Sequence, residues 1–279
     1  MRTVLICQSD APLAREGMAR WLASCSELAG LIVLDETGGR RWQRIRREAR
    51  RIGWLRMLDV FAFRVYQRLA LAGADAAFCR RQLQDLCERY PPLPADLSVH
   101  SDTSPNSAAA VRFLEERQPD VVIASCKHLL KPKVFQIPRT GCFALHPGIC
   151  PEYRNAHGCF WALAHDDVSK VGTTLLKIDA GVDTGPIYGY FGGAFDEVSE
   201  THLMIQRRMT LGNLDAIGRR LREAHQGQAR PIDVSGRKSA EWGQPWLTAY
   251  LRWKRQARQR ARDQRVASPE QAAASQPTR

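Results

Sequence analysis

Residues 3–36, TVLICQSDAPLAREGMARWLASCSELAGLIVLDE, decide the fold class. TVLICQ (3–8) is a short apolar run of the kind that forms a strand buried on both faces. Residues 11–27 then place Leu13, Met18, Trp21 and Leu22 on one helical face. LAGLIVLDE (28–36) is a second buried run, ending in two acids. Strand, helix and strand in this order open an α/β sheet.

The same order resumes further on. LSVHS (97–101) reads as a short strand. SPNSAAAVRFLEERQPD (104–120) contains a helix, with Ser104 as its N-cap, Pro105 at the first helical position and Pro119 marking the exit. VVIASC (121–126), GCFALHPG (141–148), VGTTLLKI (171–178) and PIYGYFGG (186–193) are further strands. A long basic amphipathic helix is predicted over 199–226, a small strand over 230–235 and another helix over 245–262. The last stretch, ASPEQAAASQPTR, lacks bulky apolar residues and reads as disordered.

Residues 37–90 interrupt the alternation. Leu55, Leu58, Ala62, Val65 and Leu69 recur at three and four, which is helical, and Phe61 and Phe63 widen the apolar surface. Residues 40–68 hold ten arginines against Glu48 and Asp59, and Arg252 to Arg265 hold seven basic residues against Asp263. The net charge is +12. Such clusters suit nucleic acid, a phosphorylated substrate or a membrane surface, and more often they are solvated helix faces. The insertion reads as a lid or dimer element packed within the molecule. A homo-oligomer and a peripheral membrane contact stay open, whereas nucleic acid is disfavoured because no reading motif is present. Eight cysteines without a CxxC pair, no signal peptide and no apolar run long enough to span a bilayer point to reduced thiols in a cytoplasmic protein.

In open α/β sheets, functional residues gather at the carboxyl ends of strands. His146 follows CFAL, Ser125 to Lys127 follow VVIA, and the loop DAGVDTGP (179–186) follows TLLKI. Three strand ends thus offer polar groups to one crevice, and without the other two His146 would read as a packing residue. Asp179 reads as a turn residue. His146, Cys150, His157 and Cys159 have no zinc spacing, so no metal is expected.

These residues resemble the folate-dependent formyltransferase family. Its pattern is Asn-x-His-x-x-x-x-Pro, then Tyr-Arg-Gly, Gly-x-Thr and Asp-x-Gly. The chain matches it at His146, Pro151, Tyr153, Arg154, Gly172, Thr174, Asp183 and Gly185. The resemblance covers roughly 95–195 and implies a Rossmann-like formyltransferase fold, mostly parallel and flanked by helices. With it goes a division into a catalytic domain over 1–195 carrying the basic helical insertion, a helical C-terminal extension over 196–265 and a tail over 266–279. The implied activity is transfer of a formyl group from 10-formyltetrahydrofolate to an amine. The resemblance gives His146 the oxyanion and gives Asp183 the charging of His146 and movement of the amine proton. It lays the pterin against Cys126, Lys127, His128, Leu129 and Leu130.

The family asparagine is replaced by Ala144, on the same strand face as His146. Loss of one oxyanion donor typically costs about 3–4 kcal/mol of transition-state stabilisation. Asn155 and His157 are the auxiliary candidates. Asn155 would supply the missing amide or simply adopt a left-handed turn, and His157 would bind the acceptor or pack. The expected acceptor is a small amine with an anionic group, an amino sugar nucleotide for example. A tRNA is disfavoured because the initiator-tRNA branch ends in a β-barrel and residues 195–279 look helical. The alternative is a catalytically impaired folate-binding or formyl-hydrolysing relative.

Overall fold

A computed structural model of the chain describes residues 1–36, 45, 46 and 48–274, with 264–274 as backbone only. Strand β1 (Arg2–Gln8) leads through a π-type turn (Leu13–Met18) into helix α1 (Ala19–Cys25) and strand β2 (Glu27–Leu34). The insertion supplies α2 (Trp54–Tyr66), a second π-type turn (Gln67–Leu71) and α3 (Ala72–Arg89). Then come β3 (Val99–Asp102), α4 (Ala108–Arg117), β4 (Val121–Ser125), α5 (Pro132–Phe135), β5 (Gly141–Pro147), β6 (Arg154–Asn155) and α6 (Gly158–Ala164). The chain continues through β7 (Thr173–Lys177), β8 (Ile187–Phe191), α7 (His202–Leu211), α8 (Leu214–His225), β9 (Glu241–Trp242) and α9 (Leu247–Ala274).

Seven strands form one sheet in the order β3-β2-β1-β4-β5-β7-β8. The first five are parallel, β7 is antiparallel to β5, and β8 is antiparallel to β7. β1 is central, and Thr3 to Gln8 are all buried. Its side chains alternate between two cores. Leu5 and Cys7 pack with Met18, Trp21, Leu22, Ile217 and Leu221, while Val4 and Ile6 pack with Ala110, Leu114 and Val134. Helices therefore cover both faces, which is why the strand reads as a continuous apolar run.

A third core lies beyond the sheet. Phe63 from the insertion meets Phe160 and Trp161 of α6, Ile205 of α7, and Tyr250 and Trp253 of α9. Asp59 accepts from the Thr248 amide at 3.1 Å and from its hydroxyl. The insertion and the C-terminal extension thus share one core.

Several expectations are corrected. Ser107, not Ser104, caps α4, its hydroxyl accepting from the Ala110 amide at 2.9 Å. Ser104 instead takes the Asn106 amide in a local turn, a use to which serine is well suited. The helix expected over 199–226 is two helices. Asn213 separates them, its side-chain amide donating to the Met209 and Gly192 carbonyls at 2.7 and 3.0 Å. The tail expected to be disordered from 266 is helical to Ala274, in line with the high propensity of its alanines and glutamines. Residues 37–44 and 47 of the insertion, and 275–279 of the tail, lie outside the described residues. The face of Leu55, Leu58, Val65 and Leu69, expected to pack within the molecule, is exposed; Val60 and Phe63 pack instead.

Candidate active site

Pleating puts Ala144 and His146 of β5 on one face, and both line a single cavity. His146 stands opposite Thr174 of the antiparallel β7, and Lys177 stands opposite Phe143. The chain therefore leaves β7 at the end away from His146, contrary to the expectation that three carboxyl ends meet. The loop after β7 turns back along the sheet and delivers Asp183 to His146 from the side. Asp179 makes the turn, its carboxylate accepting from the Gly181 amide at 2.9 Å and the Thr184 hydroxyl at 2.8 Å. Gly185 allows the return, because a Cβ there would lie 1.9 Å from the Lys177 carbonyl oxygen. Arg154 holds the loop by donating Nη1 to the Val182 carbonyl at 2.7 Å.

His146 is buried, with Nδ1 3.2 Å from Asp183 Oδ2 and Nε2 2.6 Å from the Tyr153 carbonyl oxygen. Both partners are acceptors, so both ring nitrogens carry protons when both bonds are made. Burial by itself opposes that charge, but the Asp183 carboxylate and the adjacent Cys150 together hold the imidazole well above the usual histidine range. Burial pushes the Asp183 carboxyl the other way, upward, and is outweighed by His146, the Asn155 amide and Arg154, which keep it below its ordinary value. An imidazolium–carboxylate pair therefore sits at the cavity wall. Both His146 N–H groups are engaged by the protein. Its action on an oxyanion is then through charge, unless Nε2 turns from the Tyr153 carbonyl.

The remaining matched residues build this geometry. Thr174 Oγ1 donates to the Gly148 carbonyl at 2.6 Å and accepts from the Cys150 amide at 3.1 Å, fixing the chain after His146. At Gly172 a Cβ would lie 2.7 Å from the Phe191 carbonyl oxygen. Tyr153 stacks on Trp242 and donates its hydroxyl to Asp167 at 3.1 Å, which steadies the carbonyl that His146 uses.

The cavity measures about 730 Å³. Cys126 to Leu130 line one wall, beside Ala124 and Ala144. Asn106 braces this loop, donating to the Leu129 carbonyl at 2.9 Å and accepting the Lys131 amide at 2.8 Å. Lys127 pairs with Glu36 at 3.3 Å. Leu129 is exposed. Gln8, Asp10, Gln206 and Arg207 also line the cavity, Gln8 lying 3.4 Å from the His128 ring and Asp10 4.0 Å from Lys127. Gln206 Oε1 and Arg207 Nη1 are buried without a hydrogen-bond partner, and among the described residues Arg207 makes no ion pair. Sequence reasoning missed Asn106, Gln206 and Arg207. Asn106 acts across 23 residues on Leu129, and the other two lie on a helix whose period shows only amphipathicity.

Asn155 and His157 separate. Asn155 has φ 76°, the left-handed turn, and its side-chain amide donates to the Trp242 carbonyl at 2.8 Å. His157 does not line the cavity; it turns toward His202, 5.5 Å away ring to ring, in the aromatic core. Burial, then Arg64, pushes its pKa down to about 4. Burial likewise pushes the Cys159 thiol up to about 12 while it donates to the Gly172 carbonyl. Among the described residues no three His, Cys, Asp or Glu side chains group as metal ligands.

The stretch that carries this geometry has relatives. Residues 82–191 match the formyl transferase family model. Over that segment the chain is similar to the formyl transferase family. Curated relatives of the formyl transferase segment include the methionyl-tRNA formyltransferase of Kosmotoga olearia, 36% identical over 92 residues (33% of this chain, 29% of that protein). The methionyl-tRNA formyltransferase of Syntrophus aciditrophicus is 32% identical over 130 residues (46% of this chain, 41% of that protein). The chain thus spans less than half the length of these relatives. Among solved structures, a sugar N-formyltransferase from Shewanella sp FDAARGOS_354 superposes with TM-score 0.51 at 14% identity, covering 87% of this chain and 77% of that one. The phosphoribosylglycinamide formyltransferase of Anaplasma phagocytophilum gives 0.51 at 11% identity, with 86% and 96% covered. The sheet and its flanking helices are the Rossmann-like formyltransferase fold.

Proposed function

We propose that the chain transfers a formyl group from 10-formyltetrahydrofolate to the amine of a small anionic acceptor, with an amino sugar nucleotide as the best fit. The observation that carries this reading is the His146–Asp183 pair in the wall of a cavity large enough for two reactants. The loop Cys126–Leu130, with exposed Leu129, suits the folate ring and would hold it. When bound, the folate supplies the activated formyl group. The chain's own residues do the rest. The imidazolium of His146 favours negative charge on the formyl oxygen. Asp183 Oδ2 is taken by His146 and the Asn155 amide, which leaves Oδ1 to accept the proton of the attacking amine.

Arg207 supports an anionic acceptor, because its Nη1, buried in the cavity wall without a hydrogen-bond partner, suits phosphate or carboxylate, although Asp75 already shares part of its charge. The test is incubation with 10-formyltetrahydrofolate and a panel of amino sugar nucleotides, following tetrahydrofolate release and acceptor mass. R207Q should raise acceptor KM about tenfold or more and leave folate binding unchanged. Failure of every amine in the panel would reject the reading. Ala144 favours a second reading, folate binding without efficient transfer, since the cavity wall there carries no donor. Folate binding without turnover would select it.

A further inference from the structure

Helix α2 carries apolar side chains on two opposite faces. Phe63 packs in the aromatic core and Val60 is buried on the same side; at 100° per residue, Trp54, Leu55, Leu58, Phe61 and Val65 point away from it. The stripe continues onto Leu69 in the following turn. Val60 and Phe63 are 0% and 2% exposed; Leu55, Leu58, Phe61 and Leu69 are 85%, 67%, 64% and 81% exposed. Most of the large apolar side chains exposed among the described residues belong to this stripe. Single exposed apolar residues are ordinary, but a contiguous patch marks an interaction surface.

Charge decides what covers it. A second copy of the chain would set like charge against like charge: among the described residues of 45–68, Arg46, Arg50, Arg51, Arg56 and Arg68 are exposed. The only acids in that stretch are Glu48 and Asp59, and both are already engaged. Glu48 pairs with Arg51 at 2.8 Å and takes the Gln244 amide, and Asp59 holds Thr248. Neither is left to neutralise a symmetric partner. Arg50, Arg51 and Arg68 are exposed close to the stripe in sequence. The neighbouring α9 adds exposed Arg252, Arg255, Arg258 and Arg262. An apolar stripe with Trp and Phe, flanked by arginines, matches the boundary between anionic headgroups and acyl chains. No helix among the described residues is long and apolar enough to cross a membrane, so the contact is with the surface.

We propose that α2 docks the protein on an anionic lipid bilayer, with Trp54, Leu55, Leu58, Phe61, Val65 and Leu69 entering the interface and the flanking arginines meeting lipid phosphates. The test is flotation of the full chain with vesicles of phosphatidylcholine alone and of phosphatidylcholine mixed with phosphatidylglycerol. Binding should be about tenfold or more tighter to the mixed vesicles and should weaken in high salt. L58E/F61E should reduce it by about tenfold or more with an unchanged circular dichroism spectrum. Should that pair disturb folding, W54F provides a second measurement. Brominated lipid should quench part of the wild-type tryptophan emission, and that part should vanish in W54F. Absence of vesicle binding by the wild type, or equal binding by L58E/F61E, overturns the proposal. A dimer in analytical ultracentrifugation that L58E/F61E disperses, without vesicle binding, would assign the stripe to a second copy and overturn it as well.

Discussion

Asp183→Asn tests whether the His146 charge is set by its partner. The two side chains approach to 3.2 Å, with His146 4% and Asp183 20% exposed. At an effective dielectric of about 20, a unit charge pair at that distance is worth about 5 kcal/mol, an upper figure because part of it offsets burial. A neutral amide of the same shape removes the attraction and leaves the burial. His146 should then titrate lower than in the wild type, with Cys150 alone left to oppose burial. The neutral ring keeps Nε2–H on the Tyr153 carbonyl, so the geometry survives while the charge is lost. The measurement is an NMR titration of the His146 Cε1 proton, with formyl transfer followed over the same pH range. In the wild type, the pair's stabilisation through His146 is fully present below about pH 6.5 and is lost as pH rises through the raised pKa. The contribution of Asp183 is present above its ordinary 3.8 and is lost as pH falls through the lowered pKa. The alkaline limb of activity should therefore move to lower pH in D183N, and neutral-pH activity should collapse. An unmoved His146 titration in D183N would refute the coupling.

A144N should speed formyl transfer by about 10²–10³-fold in steady-state kinetics, the worth of one restored oxyanion donor; a loss would show that the new amide crowds the cavity. N155A should lower stability by about 1–2 kcal/mol in denaturant melts, through the lost Trp242 bond and the left-handed backbone, with little selective effect on kcat. A large selective fall in kcat would instead make Asn155 the substitute donor. G185A should displace the loop that carries Asp183 and cut turnover about 100-fold while the sheet stays folded, as judged by circular dichroism and activity.

The strands were legible because apolar runs such as TVLICQ and VVIASC are buried on both faces. The direction of β7 was not, since TTLLK has the same composition whichever way it runs; only the pairing of Thr174 with His146 shows it. His146 and Asp183 could be picked out through their spaced motif. The Tyr153 carbonyl that engages His146 could not, because every residue has a carbonyl. The helical period of Leu55, Leu58, Val65 and Leu69 gives a common face and says nothing of what that face meets. Phe63, two residues from Phe61, turned out to be the one that packs.

The two walls of the cavity come from different stretches of chain. Ala144, His146, Asp183 and the loop Cys126–Leu130 lie inside the matched segment 82–191. Gln8, Asp10, Leu13, Gln206 and Arg207 lie outside it; Gln8 reaches His128 and Asp10 reaches Lys127 of that loop, whereas Gln206 and Arg207 come from α7. Under the proposed function, the first set, with Gln8 and Asp10 against its loop, handles the donor and the proton, and a second set, Gln206 and Arg207, meets the acceptor. Drift in the second set then leaves the reaction intact while changing what is formylated. The same separation gives a protein engineer a compact library: randomising positions 206 and 207 alters acceptor preference without a single change in the matched segment.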